Sequence, residues 1–164
     1  MIYEVELNEY AFRQAEFAGK LRRESAISKG RPEPRGTPPS DLLQNDIDSC
    51  CAEMAVAKFY NLHWEAVVDN PSKDLMGDVG SVLEVRSTSL ETGRLILHKP
   101  DKDDFPFVLA IGEGRRWKLA GWMWGRDGKM DKYWNERMPR PCYTVPQRDL
   151  KDCRLSGKVW PTRL

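Results

Sequence analysis

Apolar and polar positions alternate weakly over residues 1–7 (Met-Ile-Tyr-Glu-Val-Glu-Leu), a pattern that predicts a short strand. The period then lengthens. Asn8 is a good helix N-cap, and Glu9 to about Ile27 is rich in Ala, Glu, Lys, Arg and Leu, so a helix over 8–28 is expected. Tyr10, Phe17 and Leu21 mark its apolar face, which leaves Arg22 and Arg23 on a solvated outer side; a DNA-facing role for that pair is the alternative. Residues 29–39 hold four prolines and two glycines, which remove donors and set turns, so this stretch reads as a surface connector. Arg31 and Arg35 within it would suit a polyanion, although a plain linker fits the composition better.

A second helix is expected from Ser40 or Asp41 to about Tyr60, with Gln44 placed to close a capping box from Asp41. Ile47, Cys51, Met54, Ala55 and Leu62 form its apolar stripe. Glu53 lies on a different row with Asp46, Ser49, Cys50 and Ala57. That row is mostly small, so another element approaches closely; the carboxylate sits at the edge of the apolar face or beside a cleft, and pattern alone favours the edge.

Strand signals dominate the remainder. His63 to Val68 reads as a strand-like segment, Asp69 to Ser72 as a turn, and Leu90 to Gly93 as a hairpin-like connection into Arg94 to His98. Lys99 to Asp104 is a loop by composition. Phe105 to Ile111 is a continuous apolar run, the mark of a strand buried on both faces, and Arg116 to Trp124 is its expected neighbour across a turn at 112–115. A turn at Gly125 to Gly128, a short helix over Asp131 to Met138, a strand at Cys142 to Val145 and a capping segment from Asp149 to Leu155 complete the reading. The fold class is α/β (α+β), a mixed central sheet flanked by helices. One domain over residues 1–164 is expected, with the N-terminal helix at 8–28, the connector at 29–39 and the core at about 40–146.

Composition narrows the class. Charged residues at 31% and hydrophobic ones at 40% match a folded soluble domain and not a disordered chain. No apolar run reaches membrane-span length, and Met1 to Glu9 is acidic, unlike a signal peptide, so a cytoplasmic protein is expected. Cys50, Cys51, Cys142 and Cys153 have no Cys-x-x-Cys spacing, and His63 and His98 are the two histidines; the cysteines read as reduced, buried thiols, and a zinc site or catalytic cysteine is disfavoured. The net charge of +1 hides an asymmetry: residues 41–111 carry 6 Lys/Arg against 13 Asp/Glu, and residues 112–164 carry 13 against 6. An acidic cleft beside a phosphate-attracting surface would look like this, and so would two halves that neutralise each other. Trp117, Trp122, Trp124, Trp134 and Trp160 fall late among these basic residues; base stacking is one use for them and core packing the commoner one.

Candidate chemistry concentrates in residues 77–88, Gly-Asp-Val-Gly-Ser-Val-Leu-Glu-Val-Arg-Ser-Thr. In a strand starting near Val82, Glu84 and Arg86 share one face, and Leu83 and Val85 face a core. Gly80-Ser81 permits a tight turn that brings Asp78 beside Glu84. Two carboxylates next to a cation on rigid sheet suit a Mg²⁺ and phosphate site. A surface strand with an ordinary ion pair would read the same way.

A helix carrying Glu53, then Asp78, then Glu84-Val85-Arg86 followed by Ser87 and Thr88 resembles the PD-(D/E)XK nuclease superfamily, most closely its resolvase-like and phage-borne members. The resemblance spans about residues 46–124. It implies a restriction-endonuclease-like fold and a Mg²⁺- or Mn²⁺-dependent nuclease acting on DNA, phage-encoded and working in the bacterial host cytoplasm. It implies that Asp78, Glu84 and the Val85 carbonyl hold the metal, that Glu53 completes or orients the shell, and that Arg86 contacts phosphate. Arg115, Arg116, Lys118, Arg126 and Lys129 would draw in DNA, and a homodimer is in keeping with the superfamily. Arg86 stands where the superfamily usually has lysine; arginine stays protonated and cannot take a proton from water. A non-cleaving descendant that binds DNA or blocks a host protein is therefore the second expectation.

Overall fold

The computed structural model describes residues 1–33, 36–69 and 77–154. Strand β1 (Tyr3–Glu6) leads into helix α1 (Glu9–Ser28), and Asn8 caps it as expected, its Oδ1 accepting the Ala11 N–H at 2.8 Å. Helix α2 (Leu42–Tyr60) follows a 3-10 turn at Pro39–Asp41. The expected capping box is not made. Asp41 is already near-helical (φ −101°, ψ −7°) and caps no N–H, while Gln44 donates to Asp48 Oδ1 at 3.1 Å. A cap side chain reaches the first turn from an extended backbone, and the preceding 3-10 turn removes that geometry. At the other end Asn61 adopts φ +54°, and the Leu62 N–H closes on Ala57 O at 2.9 Å.

The expected pair of hydrophobic strands forms the centre: β4 (Pro106–Glu113) and β5 (Arg116–Trp124) make an antiparallel hairpin. β1 lies antiparallel to β5, and β2 (Glu84–Thr88) lies parallel to β4, so the mixed sheet runs β1-β5-β4-β2 with β2 at an edge. A second, antiparallel sheet is built from β3 (Leu95–Leu97), β6 (Trp134–Asn135) and β7 (Cys142–Val145), in the order β3-β7-β6. The fold is thus α+β with a mixed central sheet.

Side-chain alternation explains the continuous apolar run. Val108 and Ala110 of β4 pack with the helices, while Phe107, Leu109 and Ile111 pack with Leu95, Leu97 and Val145 of the second sheet. Helices on one face and a small sheet on the other bury residues 106–111 of β4. β2 divides the same way: Val85 joins the helical core, and Glu84 and Arg86 face the opposite side, where the Arg86 guanidinium lies 5.0 Å from the Phe107 ring centre.

Several expectations are corrected. Tyr10 and Phe17 are exposed, because α1 turns Ala15, Ala18 and Gly19 inward. These small residues let α1 sit so close to α2 that a Cβ on Gly19 would lie 2.5 Å from Ile47 Cα. Arg22 and Arg23 are accordingly not solvated; their side chains are 22% and 11% exposed, and each is paired with acids. Arg31 pairs with Asp69. Residues 63–68 form no strand: their polar groups go elsewhere, His63 O to Gly80 N–H and Val67 O to Arg22. The 90–93 connection crosses between sheets and makes no hairpin. A 3-10 turn at Asp131–Tyr133 and β6 stand where a short helix was expected, and Gly125–Gly128 is a single helical turn, α3. Arg35, Trp160 and most of the 69–72 turn fall outside the described residues. Asp149 to Arg154 does cover the fold: Lys151 and Trp122 exchange backbone hydrogen bonds, and Tyr3 donates to Asp152.

Gly19 provides a test by sign. In an ordinary helix interior Gly→Ala stabilises by about 1 kcal/mol. Here the new methyl meets α2 backbone, so Gly19→Ala is expected to destabilise by roughly 1–3 kcal/mol in urea unfolding.

Candidate functional site

A four-residue turn builds the site. Gly80 and Ser81 both have positive φ (+56° and +58°), and the Val82 N–H bonds Val79 O at 3.1 Å, the signature of a type I′ turn. Val79 and Leu83 pair across it as an isolated antiparallel bridge. Asp78 is thereby folded back on the start of β2, and its Oδ2 accepts the Val85 N–H at 2.9 Å. The five-residue separation of Asp78 and Glu84 is thus enough to place the two carboxylates together. Gly77 is required for the same closure: a Cβ there would stand 2.4 Å from Leu83 O.

Glu84 is buried, 8% exposed, and hydrogen-bonds Asp78. Burial and then the charge and hydrogen bond of Asp78 push its carboxyl up to about 8, against the opposing pull of Arg86 and Lys102. The Glu84 carboxyl therefore keeps its proton at neutral pH, in hydrogen-bond contact with Asp78. Around them stand cations: Arg86 Nη1 at 3.8 Å and Lys102 Nζ at 3.6 Å from Glu84. Arg86 also pairs with Asp101 at 3.1 Å and donates to the Val85 carbonyl at 3.3 Å.

Asp101 and Lys102 were not singled out from the sequence. They belong to the loop before β4, which β2's parallel pairing brings alongside Glu84. Asp101 Oδ2 accepts the His98 N–H at 2.8 Å, and Lys129 Nζ holds the loop through Lys99 O and a 2.6 Å ion pair with Asp103. A polar loop has no periodicity to betray it.

Glu53 is engaged differently. It lies on the helical side, 6% exposed, and Arg22 grips it with two parallel hydrogen bonds of 2.8 and 2.9 Å, while Trp64 Nε1 donates at 2.8 Å. Burial raises the Glu53 pKa and the Arg22 hydrogen bonds oppose that rise. The charge of Asp78 is felt by both Glu53 and Glu84, so Asp78 lies near each of them. The structure brings Asp78, Glu84, the Val85 carbonyl and Arg86 together and leaves Glu53 as a braced neighbour.

The basic residues expected to meet DNA are split. Arg115 reaches Leu7 O at 2.8 Å and Glu9 at 3.5 Å, and Lys118 pairs with Glu91 at 2.7 Å; they and exposed Arg116 lie at one end of β5. Arg126, stacked 4.9 Å from the Trp124 ring, and Lys129 lie at the other end. Trp117 and Trp122 are core. The thiols are buried, and burial pushes those of Cys50 and Cys51 up to about 12, well above nucleophilic range at neutral pH.

Among the described residues, no group of three or more His, Cys, Asp or Glu side chains is arranged to hold a metal ion. The fit of Mg²⁺ or Mn²⁺ rests on Asp78, Glu84 and the Val85 carbonyl. These are hard oxygen donors, and a divalent cation beside them would favour the ionised form of Glu84 that burial and Asp78 disfavour. The residues present fit such an ion. Comparison of the chain with protein-family models, curated proteins and solved structures gave no match.

Two outcomes follow. Arg22→Met leaves Glu53 buried without its cation and is expected to cost roughly 3–5 kcal/mol in chemical unfolding. Arg22→Met with Glu53→Gln is expected to recover much of that loss. Glu84, whose folded pKa is raised, contributes stability that is complete below about pH 4 and lost as pH rises through about 8. Glu84→Gln removes that loss, so in EDTA it is expected to be more stable than wild type at pH 8.5, by on the order of 1–3 kcal/mol, with the gain fading by pH 5 in thermal melts.

Proposed function

We propose that this protein is a Mg²⁺- or Mn²⁺-dependent nuclease that hydrolyses phosphodiester bonds of DNA. The observation that carries the reading is the turn that holds half-buried Asp78 beside buried Glu84 at a sheet edge, with the cations Arg86 and Lys102 at 3.8 and 3.6 Å from Glu84. Asp78, Glu84 and the Val85 carbonyl would hold the ion. When bound, it supplies Lewis-acid stabilisation of charge on the phosphodiester and lowers the pKa of water. Arg86 offers a planar fork to a phosphate oxygen pair and stays charged throughout. Lys102 adds a second positive charge on the same side. Arg22 and Trp64 fix Glu53 on the helical side, near Asp78.

The resemblance of Glu53, Asp78 and Glu84-Val85-Arg86 to the PD-(D/E)XK superfamily supports the same reading. On that basis we place the protein in phage, working in the cytoplasm of a bacterial host; no helix among the described residues is long and apolar enough to cross a membrane. A non-cleaving module that binds DNA or a host protein is the second reading. It is favoured by Arg86, which cannot serve as a base, and by Glu53, which is already satisfied by Arg22.

Incubation with single-stranded, duplex and branched DNA in Mg²⁺ or Mn²⁺ separates the two. The nuclease reading expects metal-dependent cleavage that falls by roughly 100-fold or more in Asp78→Asn and Glu84→Gln, both still folded. DNA binding with no cleavage in either metal would instead support the binding module.

A further inference from the structure

β2 is an edge strand of the mixed sheet, and a cleft of about 510 Å³ runs between it and the second sheet. Three consecutive β2 residues, Arg86, Ser87 and Thr88, line it. Neighbouring strand residues point to opposite faces, so the cleft follows the strand's edge and not one of its faces. Its volume lies in the range of roughly 300–1,000 Å³ typical of sites for small organic groups, and it is too small for a duplex.

The lining sorts into three chemistries. Leu90, Ile96 and Met138 give an apolar surface; Thr88, Thr144 and Asn135 give hydroxyl and amide groups; Arg86 and Arg94 give positive charge. Ile96 and Thr144 are paired directly across β3 and β7, which makes that wall rigid. Arg86 is shared with the carboxylate pair, so the cleft begins where Asp78 and Glu84 end. Arg94 is exposed and makes no ion pair with any described residue, unlike Arg22, Arg31, Arg86 and Lys118. An apolar wall, hydrogen-bonding groups and two arginines, one of them with no ion pair to a described residue, complement a nucleotide: a base with an anion on either side.

We propose that this cleft is a subsite for one unpaired nucleotide of a DNA strand, with its base against Leu90, Ile96 and Met138 and its flanking phosphates at Arg86 and Arg94. The inference rests on the nuclease reading only in taking the phosphate at Arg86 as the one beside the metal pair. It makes single-stranded or frayed DNA the substrate class, because a paired base cannot leave the stack to enter without an added energetic cost.

The test is fluorescence anisotropy in EDTA, where binding is read without cleavage. Wild type is compared with Arg94→Glu and Thr92→Trp, the latter an exposed turn residue whose indole would fill the cleft. Thermal melts confirm that both variants fold. The subsite predicts that a single strand binds about tenfold or more tightly than a hairpin duplex of the same length, and that each variant loses about tenfold of that binding. It also predicts weaker binding of an abasic strand. Equal or tighter duplex binding, an abasic strand bound as well as the intact one, or a Thr92→Trp protein that binds like wild type would overturn it. Failure here is separable from failure of the nuclease reading. Metal-dependent cleavage lost in Glu84→Gln without single-strand preference removes the subsite alone, and cleft-dependent binding without cleavage removes the nuclease alone.

Discussion

One hydrogen bond holds the site's geometry: the Val85 N–H donated to Asp78 Oδ2 at 2.9 Å. It fixes a carboxylate from a loop against the first residues of an edge strand, and the tight turn through Gly80 and Ser81 leaves that carboxylate no other place to go. The Asp78–Glu84 contact follows, and with it the raised Glu84 pKa and the attraction of Arg86 and Lys102. Without the turn, Glu84 would be a half-paired acid at the start of a strand.

The layers around β2 each supply one part. The helical side supplies Glu53, braced by Arg22, because α1 and α2 are close enough for a guanidinium from one to cover a carboxylate on the other. The second sheet and the loop before β4 supply Asp101 and Lys102 and close one wall of the cleft beside Arg86. β2 gains this position by parallel pairing to β4, whose residues 106–111 are buried, so a core strand sets the register of Glu84 and Arg86. Preorganisation of this kind lets charges be held near one another at little further entropic cost.

Much of this was legible in the chain. The β4–β5 hairpin stood out because a continuous apolar run has few other uses, and the 77–88 stretch because Gly-Ser, a strand signal and spaced charges coincide. The partners of those residues were not. Size and hydrophobicity mark Tyr10 and Phe17 as the inner face of α1, yet close helix packing chose Ala15, Ala18 and Gly19 and left both outside, which also turned Arg22 inward. Arg22 and Glu53 are 31 positions apart, and no local pattern encodes such a pair. Asp101 and Lys102 sit in a loop whose composition says only that it is polar. The basic C-terminal third read as one surface, but strand length separates its ends and nearby acids neutralise several of its members.

A divalent ion held by Asp78 and Glu84 would displace the proton that burial keeps on Glu84. Calorimetric titration with Mn²⁺ at pH 7, run in two buffers of different ionisation enthalpy, measures binding and proton release together. Saturable binding with release of about one proton per ion, absent in Asp78→Asn, is expected. No binding to the folded protein, or binding that releases no proton and survives Asp78→Asn, would contradict it.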